Sequence, residues 1–181
     1  METRTPLQKQ LSNRNNLSPT GFKFSLAKYP KIDFFSNTAV IPEINLGVAV
    51  QPTYLKDIPI PGDKISFGDF SLTFMVNEDM ENYLLVYNWI RGFGYPESAE
   101  EYQQLLNSDE NSKGKQTAIS GMSDGSLLIY NSSYNPIAKV VFKDMFPTSL
   151  SSLDFDAKST DVNYLSAQVN FKYTIYNIER I

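Results

Sequence analysis

Between residues 165 and 175 every second residue is apolar: Leu165, Ala167, Val169, Phe171, Tyr173 and Ile175 alternate with Ser166, Gln168, Asn170, Lys172 and Thr174. Successive side chains of a strand point to opposite faces, so this run predicts a strand with one buried and one wet face, the signature of antiparallel sheet. It is the longest alternating run in the chain. The same period recurs at Phe22, Phe24 and Leu26, and at Phe70, Leu72, Phe74 and Val76. Shorter candidate strands lie at residues 32–35, 48–55, 127–130 and 137–142, the last two flanking the turn sequence Asn131-Ser132-Ser133-Tyr134-Asn135-Pro136. The 12 Phe and 11 Tyr point the same way, because aromatic rings suit a pleated, half-buried surface.

Proline limits three segments. Pro42 makes any strand over residues 40–46 irregular or an edge, and Ile58-Pro59-Ile60-Pro61-Gly62-Asp63 cannot ladder centrally because two of its residues lack an N–H. Phe146-Pro147 is expected to break the run ahead of Leu150, Leu153 and Phe155.

At Asn77 the period changes from two to about 3.6. Asn77, Glu78 and Asp79 suit a helix start, and Met80, Tyr83, Leu84, Tyr87 and Ile90 then recur at helical spacing, widened by Val86, Trp89 and Phe93. This predicts an amphipathic helix over residues 80–93 with Gly92 near its end. Pro96, Ser98 and Glu101 form a candidate capping box for a short second helix that would bury Tyr102, Leu105 and Leu106. Residues 107–125 read as a long polar loop or a partly disordered excursion, and residues 1–20 as an N-terminal arm, either a frayed terminus or a segment that orders only against a neighbouring copy. The expectation is one α+β domain over residues 21–181, mainly antiparallel β: a rolled sandwich or barrel with one packed helix.

The chain has no His and no Cys, which excludes disulfides, thiolate zinc sites, Cys nucleophiles and Ser-His-Asp triads. Asp154, Asp156 and Asp161 do not match a calcium loop and read as solvated positions alternating with Leu153 and Phe155. Gly92-Phe93-Gly94 follows a helix instead of opening one, so it is a stop signal and not a phosphate cradle. A net charge of −4 with scattered Lys and Arg offers no stripe for gripping nucleic acid. Residues 1–16 lack the apolar core of a signal peptide, and no run approaches the roughly 18 apolar residues of a membrane span, so a cytosol-like site of synthesis is expected. No enzyme, cofactor, metal or small-molecule substrate is expected.

Two sequence blocks carry a resemblance. The run Phe70-Ser71-Leu72-Thr73-Phe74-Met75-Val76-Asn77-Glu78-Asp79, leading into Tyr87-Asn88-Trp89-Ile90, resembles the tail tube proteins of contractile-tailed bacteriophages. Phe146-Pro147-Thr148-Ser149-Leu150-Ser151-Ser152-Leu153-Asp154-Phe155-Asp156 is similar to the segment before the final strand in that family, and Ile58-Pro59-Ile60-Pro61-Gly62-Asp63 looks like its linker into the strand before the helix. The resemblance implies hexameric rings that stack into a tube, sheath and baseplate partners, and passage of viral DNA without specific binding. It also implies a place in the virion tail, assembled in the host cytoplasm. By position, Met80, Tyr83, Tyr87, Trp89 and Phe93 are candidate subunit contacts, together with residues 36–46 and 107–125. A baseplate tube initiator of the same fold is one alternative, and a soluble β-sandwich binding module, for carbohydrate for instance, is another.

Overall fold

The computed structural model describes residues 15–29, 36–94, 96–107, 121–156, 158 and 164–181. The candidate strand at 32–35, most of the expected arm, Asp161 and residues 108–120 lie outside them. The strands are β1 (Phe22–Leu26), β2 (Ser36–Val40), β3 (Ile44–Gln51), β4 (Ile58–Phe67), β5 (Phe70–Met75), β6 (Ser123–Tyr130), β7 (Pro136–Leu150), β8 (Ser166–Lys172) and β9 (Ile175–Arg180). Two helices, α1 (Glu81–Gly94) and α2 (Ala99–Asn107), separate β5 from β6. The order β1-β6-β7-β8-β5-β2 makes one antiparallel sheet, with β9 beside β7, while β3 and β4 form a separate ribbon. The two edge strands β1 and β2 approach each other, so the sheet is rolled. This is the mainly antiparallel β fold expected, with two helices where one was emphasised.

The alternating runs do what their period dictates. Phe24 and Leu26, Phe70, Leu72 and Phe74, and Ala167, Val169 and Phe171 all point inward and are fully buried, joined by Val140, Phe142 and Met145 from β7. Phe70 is the hub, with ring centroids 4.7 Å from Phe142, 5.2 Å from Phe24 and 6.1 Å from Phe171. Tilted pairs of this kind add about 1 kcal/mol each beyond their area burial.

Strand β7 runs through Pro147, contrary to the expected break. The missing N–H falls at a bulge between Pro147 and Ser149, where the β8 register slips by one. At Asp144 the backbone turns left-handed (φ 54°), and its N–H is taken by the Asp124 carboxylate at 3.2 Å instead of by a ladder carbonyl. This bend carries β7 from its β6 and β9 neighbours to β8. The expected single strand over residues 165–175 is bent with it. Lys143 faces Ile175 and Phe146 faces Lys172, so the register continues, but Tyr173 and Thr174 leave the strand and β9 begins beyond them. The phase changes as a result: Tyr176 packs on the core, and Ile175, expected inside, is exposed.

Helix α1 begins one residue later than expected because Met80 is left-handed (φ 54°). Its N–H donates to Asn77 O, and its carbonyl accepts the first helical bond from Leu84. The start is secured by Asn82, a fully buried residue that no pattern singled out. Its Oδ1 accepts from the Asn77 N–H at 3.2 Å and its Nδ2 donates to Met75 O at 2.8 Å, tying the first helical turn to the end of β5. Asn82, Val86, Trp89 and Gly92 form the buried face of α1. In α2, Glu101 does not close the expected capping box; its carboxylate goes to Arg91 of α1 at 2.6 Å. Tyr102 packs on the core as expected, and the side chains of Leu105 and Leu106 lie outside the described residues. Residues 123–125, expected in the loop, are the first of β6.

Candidate assembly surfaces

Proline-bearing residues 58–63 lie in β4, whose described pairing is with β3 alone, so they do not ladder centrally, as expected. That position tolerates the missing N–H groups of Pro59 and Pro61. Strand β3 stops at Gln51, short of the expected Leu55. The register sets Ile44 opposite Phe67, Leu46 opposite Ile65, Val48 opposite Pro61 and Val50 opposite Pro59. Directly paired residues share a face, so one side of the ribbon is a continuous apolar stripe. Where the register shifts, a Cβ on Gly62 would meet Gly47 O at 2.6 Å, a contact only glycine permits.

This apolar ribbon is uncovered. Every residue of β3 is exposed, with Val48 at 67%, and among the described residues neither strand packs extensively on another element. At the tip, Tyr54 and Leu55 stand 101% and 90% exposed beside a turn closed by hydrogen bonding between Thr53 Oγ1 and the backbone of Lys56. Among the described residues, the contacts that anchor the ribbon lie at its root. The Phe67 ring stacks edge-on against Tyr176 at 5.3 Å, Tyr176 Oη donates to Pro42 O at 3.1 Å, and Tyr173 Oη donates to Gly68 O at 2.8 Å. A two-stranded ribbon is marginal alone in water, and an uncovered apolar edge invites pairing with another chain.

The Tyr173 hydroxyl at this root is pushed up to about 12 from 10.0, first by burial and then by Tyr176 and Asp69. A folded value above the unfolded one gives stability that is complete below about pH 10 and lost as pH rises through about 12. The melting temperature is therefore expected to fall between those values, and Tyr173→Phe to flatten that fall. Identical profiles for the two proteins would show that the Tyr173 hydroxyl is not the group whose titration lowers stability there.

A second surface is the outward face of the sheet. Ser149, Asn170 and Ser71 lie in one row across β7, β8 and β5, and Gln168 and Thr73 in the next. The row residues bond to each other: Asn170 Nδ2 donates to Ser149 Oγ at 3.0 Å and Gln168 Nε2 to Ser71 Oγ at 2.8 Å. At its border Lys172 is neutralised by Asp69 at 2.7 Å, so this patch over β5, β8 and the end of β7 is polar without net charge.

The five helix residues expected at subunit contacts separate in the structure. Trp89 is fully buried. Its Nε1–H donates to Gly121 O at 2.7 Å, and its ring lies 5.9 Å from Tyr29 and 6.2 Å from Phe171, so the subunit's own core consumes it and it offers nothing to a neighbour. Met80 and Phe93 are half-buried, Phe93 edge-on to Phe146 at 6.0 Å. Tyr83 is half-buried and donates to Ser151 O at 3.2 Å, whereas Tyr87 is 45% exposed. Tyr83, Tyr87 and Ile90 form one wall of a groove of about 840 Å³, with Leu150 and residues 148–152 opposite and the Arg91–Glu97 ion pair (2.8 Å) at its rim.

Leu153 packs on the core, but Phe155 is exposed, so the expected alternation over residues 153–156 ends at Leu153. Asp156 accepts from Lys158 N–H in a local turn. Among the described residues no group of three or more acidic, His or Cys side chains could hold a metal, and no helix is long and apolar enough to cross a membrane.

A family model described as phage tail tube protein matches residues 6–179. No curated protein sequence matches. Among solved structures, a chain of the anti-feeding prophage cap, described as the tube terminating cap, superposes with a TM-score of 0.66 at 15% identity, over 98% of this chain and 100% of that one. A chain of the PVC sheath-tube complex, an extracellular contractile injection system in its extended state, gives 0.58 at 16% identity, over 99% and 100%. A chain of the anti-feeding prophage baseplate, 6-fold symmetrised, gives 0.59 at 13%, over 87% and 90%. These chains share the fold.

Proposed function

The chain belongs to the phage tail tube protein family, and we propose that it is the ring-forming subunit that polymerises into the tube of a contractile tail. The observation that carries this reading is the exposed β3–β4 ribbon, an apolar surface on which no other described element of the subunit packs extensively, with the edge hydrogen-bonding groups of two strands. Copies related by a closing rotation form a ring, and stacked rings form a tube. Six subunits per ring fit the 6-fold baseplate whose chain has this fold.

In this reading the hydroxyl and amide face of β5, β8 and the end of β7 lines the channel, and viral DNA is what passes. A lining whose cation is already paired offers phosphates no free counter-charge, so a polyanion slides without a salt-dependent grip. The partners are further copies of the chain, a sheath outside and a baseplate at one end. The place of action is the virion tail, built in the host cytoplasm, and no reaction is catalysed. A second reading, a single ring that starts or ends the tube, is favoured by the likeness to baseplate and cap chains.

Negative-stain electron microscopy of the purified protein, with a solution mass, tests both. Long hollow tubes are expected. Single rings that never elongate would favour the starting or ending role, and a strict monomer at every concentration and salt would count against self-assembly.

A further inference from the structure

We propose that the hydroxyls of Tyr173 and Tyr176 act as a double latch that fixes the angle at which the β3–β4 ribbon leaves the subunit. The latch lies within one subunit and holds whether or not copies assemble. The ribbon is tied to the body by two short connections, residues 41–43 leading into β3 and residues 68–69 leading out of β4. Neither is part of a strand or helix. The two are bonded to each other, Gly68 N–H donating to Glu43 O at 3.0 Å, which makes them one hinge line. A ribbon this exposed would swing about that line if nothing else held it, because few buried contacts resist the motion.

Each connection is pinned by one hydroxyl from the bend between β8 and β9. Tyr176 Oη donates to the carbonyl of the buried Pro42, and Tyr173 Oη to that of Gly68. Two fixed points stop a rotation that one would permit. The rings carrying the hydroxyls are themselves held: Tyr173 and Tyr176 meet edge-on at 5.9 Å, and Phe142 of the core lies 5.1 Å from the first and 5.8 Å from the second. On the ribbon side Phe67 closes on the same pair, 6.2 Å from Tyr173 and 5.3 Å from Tyr176. Phenylalanine would serve this packing as well, so what tyrosine adds at each position is a bond to one connection. A hydroxyl among aromatic rings costs free energy unless it is bonded, and both are. The remaining polar contact, Lys172 to Asp69, is about half exposed on both partners and adds little. A lever held at one angle presents its apolar stripe in one orientation, so whatever covers the stripe meets a preorganised surface.

The chain has no native cysteine, so spin labels at Val50→Cys on β3 and Ser132→Cys on the β6–β7 turn, both exposed, report the angle directly. The labelled chain also carries Leu46→Asp/Val48→Asp, away from the hinge, so that no neighbour steadies the ribbon. It is diluted into the same chain unlabelled, so that electron–electron double resonance reads distances within one subunit. The parent is expected to give one narrow distance, and Tyr173→Phe/Tyr176→Phe, which keeps both rings, a distribution about twofold wider or more. Unchanged emission from Trp89, the one tryptophan, shows that the body is intact. Lys172→Gln is expected to leave the width as it was. A double-Phe distribution as narrow as the parent's would overturn the latch. So would a parent that is already broad, since the root then fixes no angle. Equal broadening by Lys172→Gln would hand the role to the ion pair and overturn it too. If the double variant loses its native Trp89 emission, the single variants decide: each is expected to broaden the distribution, and broadening by neither overturns the latch.

Discussion

A Leu46→Asp/Val48→Asp variant is expected to remain monomeric at concentrations where the unmodified chain forms rings or tubes, with its fold intact. Both side chains lie on the apolar stripe and are more than half exposed in the subunit. The folded monomer therefore loses little when they change, and exposed substitutions of this kind typically move stability by about 0.5 kcal/mol or less each. In an assembly that covers the stripe, each site forfeits about 2 kcal/mol of apolar burial and adds the cost of a desolvated carboxylate. Two such sites weaken every subunit contact by roughly a thousandfold or more. Sedimentation velocity and circular dichroism check the two halves of the expectation. Tubes that persist in the variant would show that the ribbon is not the joint, and a collapsed spectrum would show that the stripe supports the subunit itself.

That monomeric variant is the background in which to measure the second large effect. Trp89→Ala is expected to cost about 4 kcal/mol, the range for removing a large aromatic from a core, because the indole is fully buried and wedged between Tyr29 and Phe171. Its Nε1–H bond to Gly121 O is lost as well, leaving a carbonyl without its donor. For a chain of this size the melting temperature should fall by roughly 10 °C. Self-association would mask the change by mass action, which is why the assembly-blocked background matters. Trp89→Phe keeps most of the burial and loses only the donor, so its cost should be nearer about 1 kcal/mol. A fall of under about 3 °C for Trp89→Ala would mean that α1 is held by something other than this residue.

Trp89 also shows where sequence reasoning stops. The helical stripe that contains it says which face of α1 is apolar. It does not say whether the covering surface belongs to the same subunit or to another, because periodicity is a property of one segment and cover a property of two. The same ambiguity applies at β3. Ile44, Leu46, Val48 and Val50 alternate as cleanly as Leu72 and Phe74 in β5, yet the first set faces solvent and the second the core. Asn82 left no trace in the pattern, since a lone polar residue on an apolar helix face is recognisable as a clamp only once Met75 and Asn77 are beside it.

The alternation of Phe22 to Leu26, of Phe70 to Met75 and of Ser166 to Lys172, and the change of period at Asn77, were determined by sequence alone. Each depends on side-chain spacing within one element, which the backbone geometry of strand or helix imposes locally. Tertiary structure decided the rest. It bent the last strand at Tyr173 and Thr174, because β7 turns at Asp144 and its partner must follow. It admitted Pro59 and Pro61 to a strand, because β4 has a described partner on one side only. It left the ribbon exposed, because the rolled sheet and α1 already satisfy each other's apolar faces and, among the described residues, no element packs extensively on the ribbon.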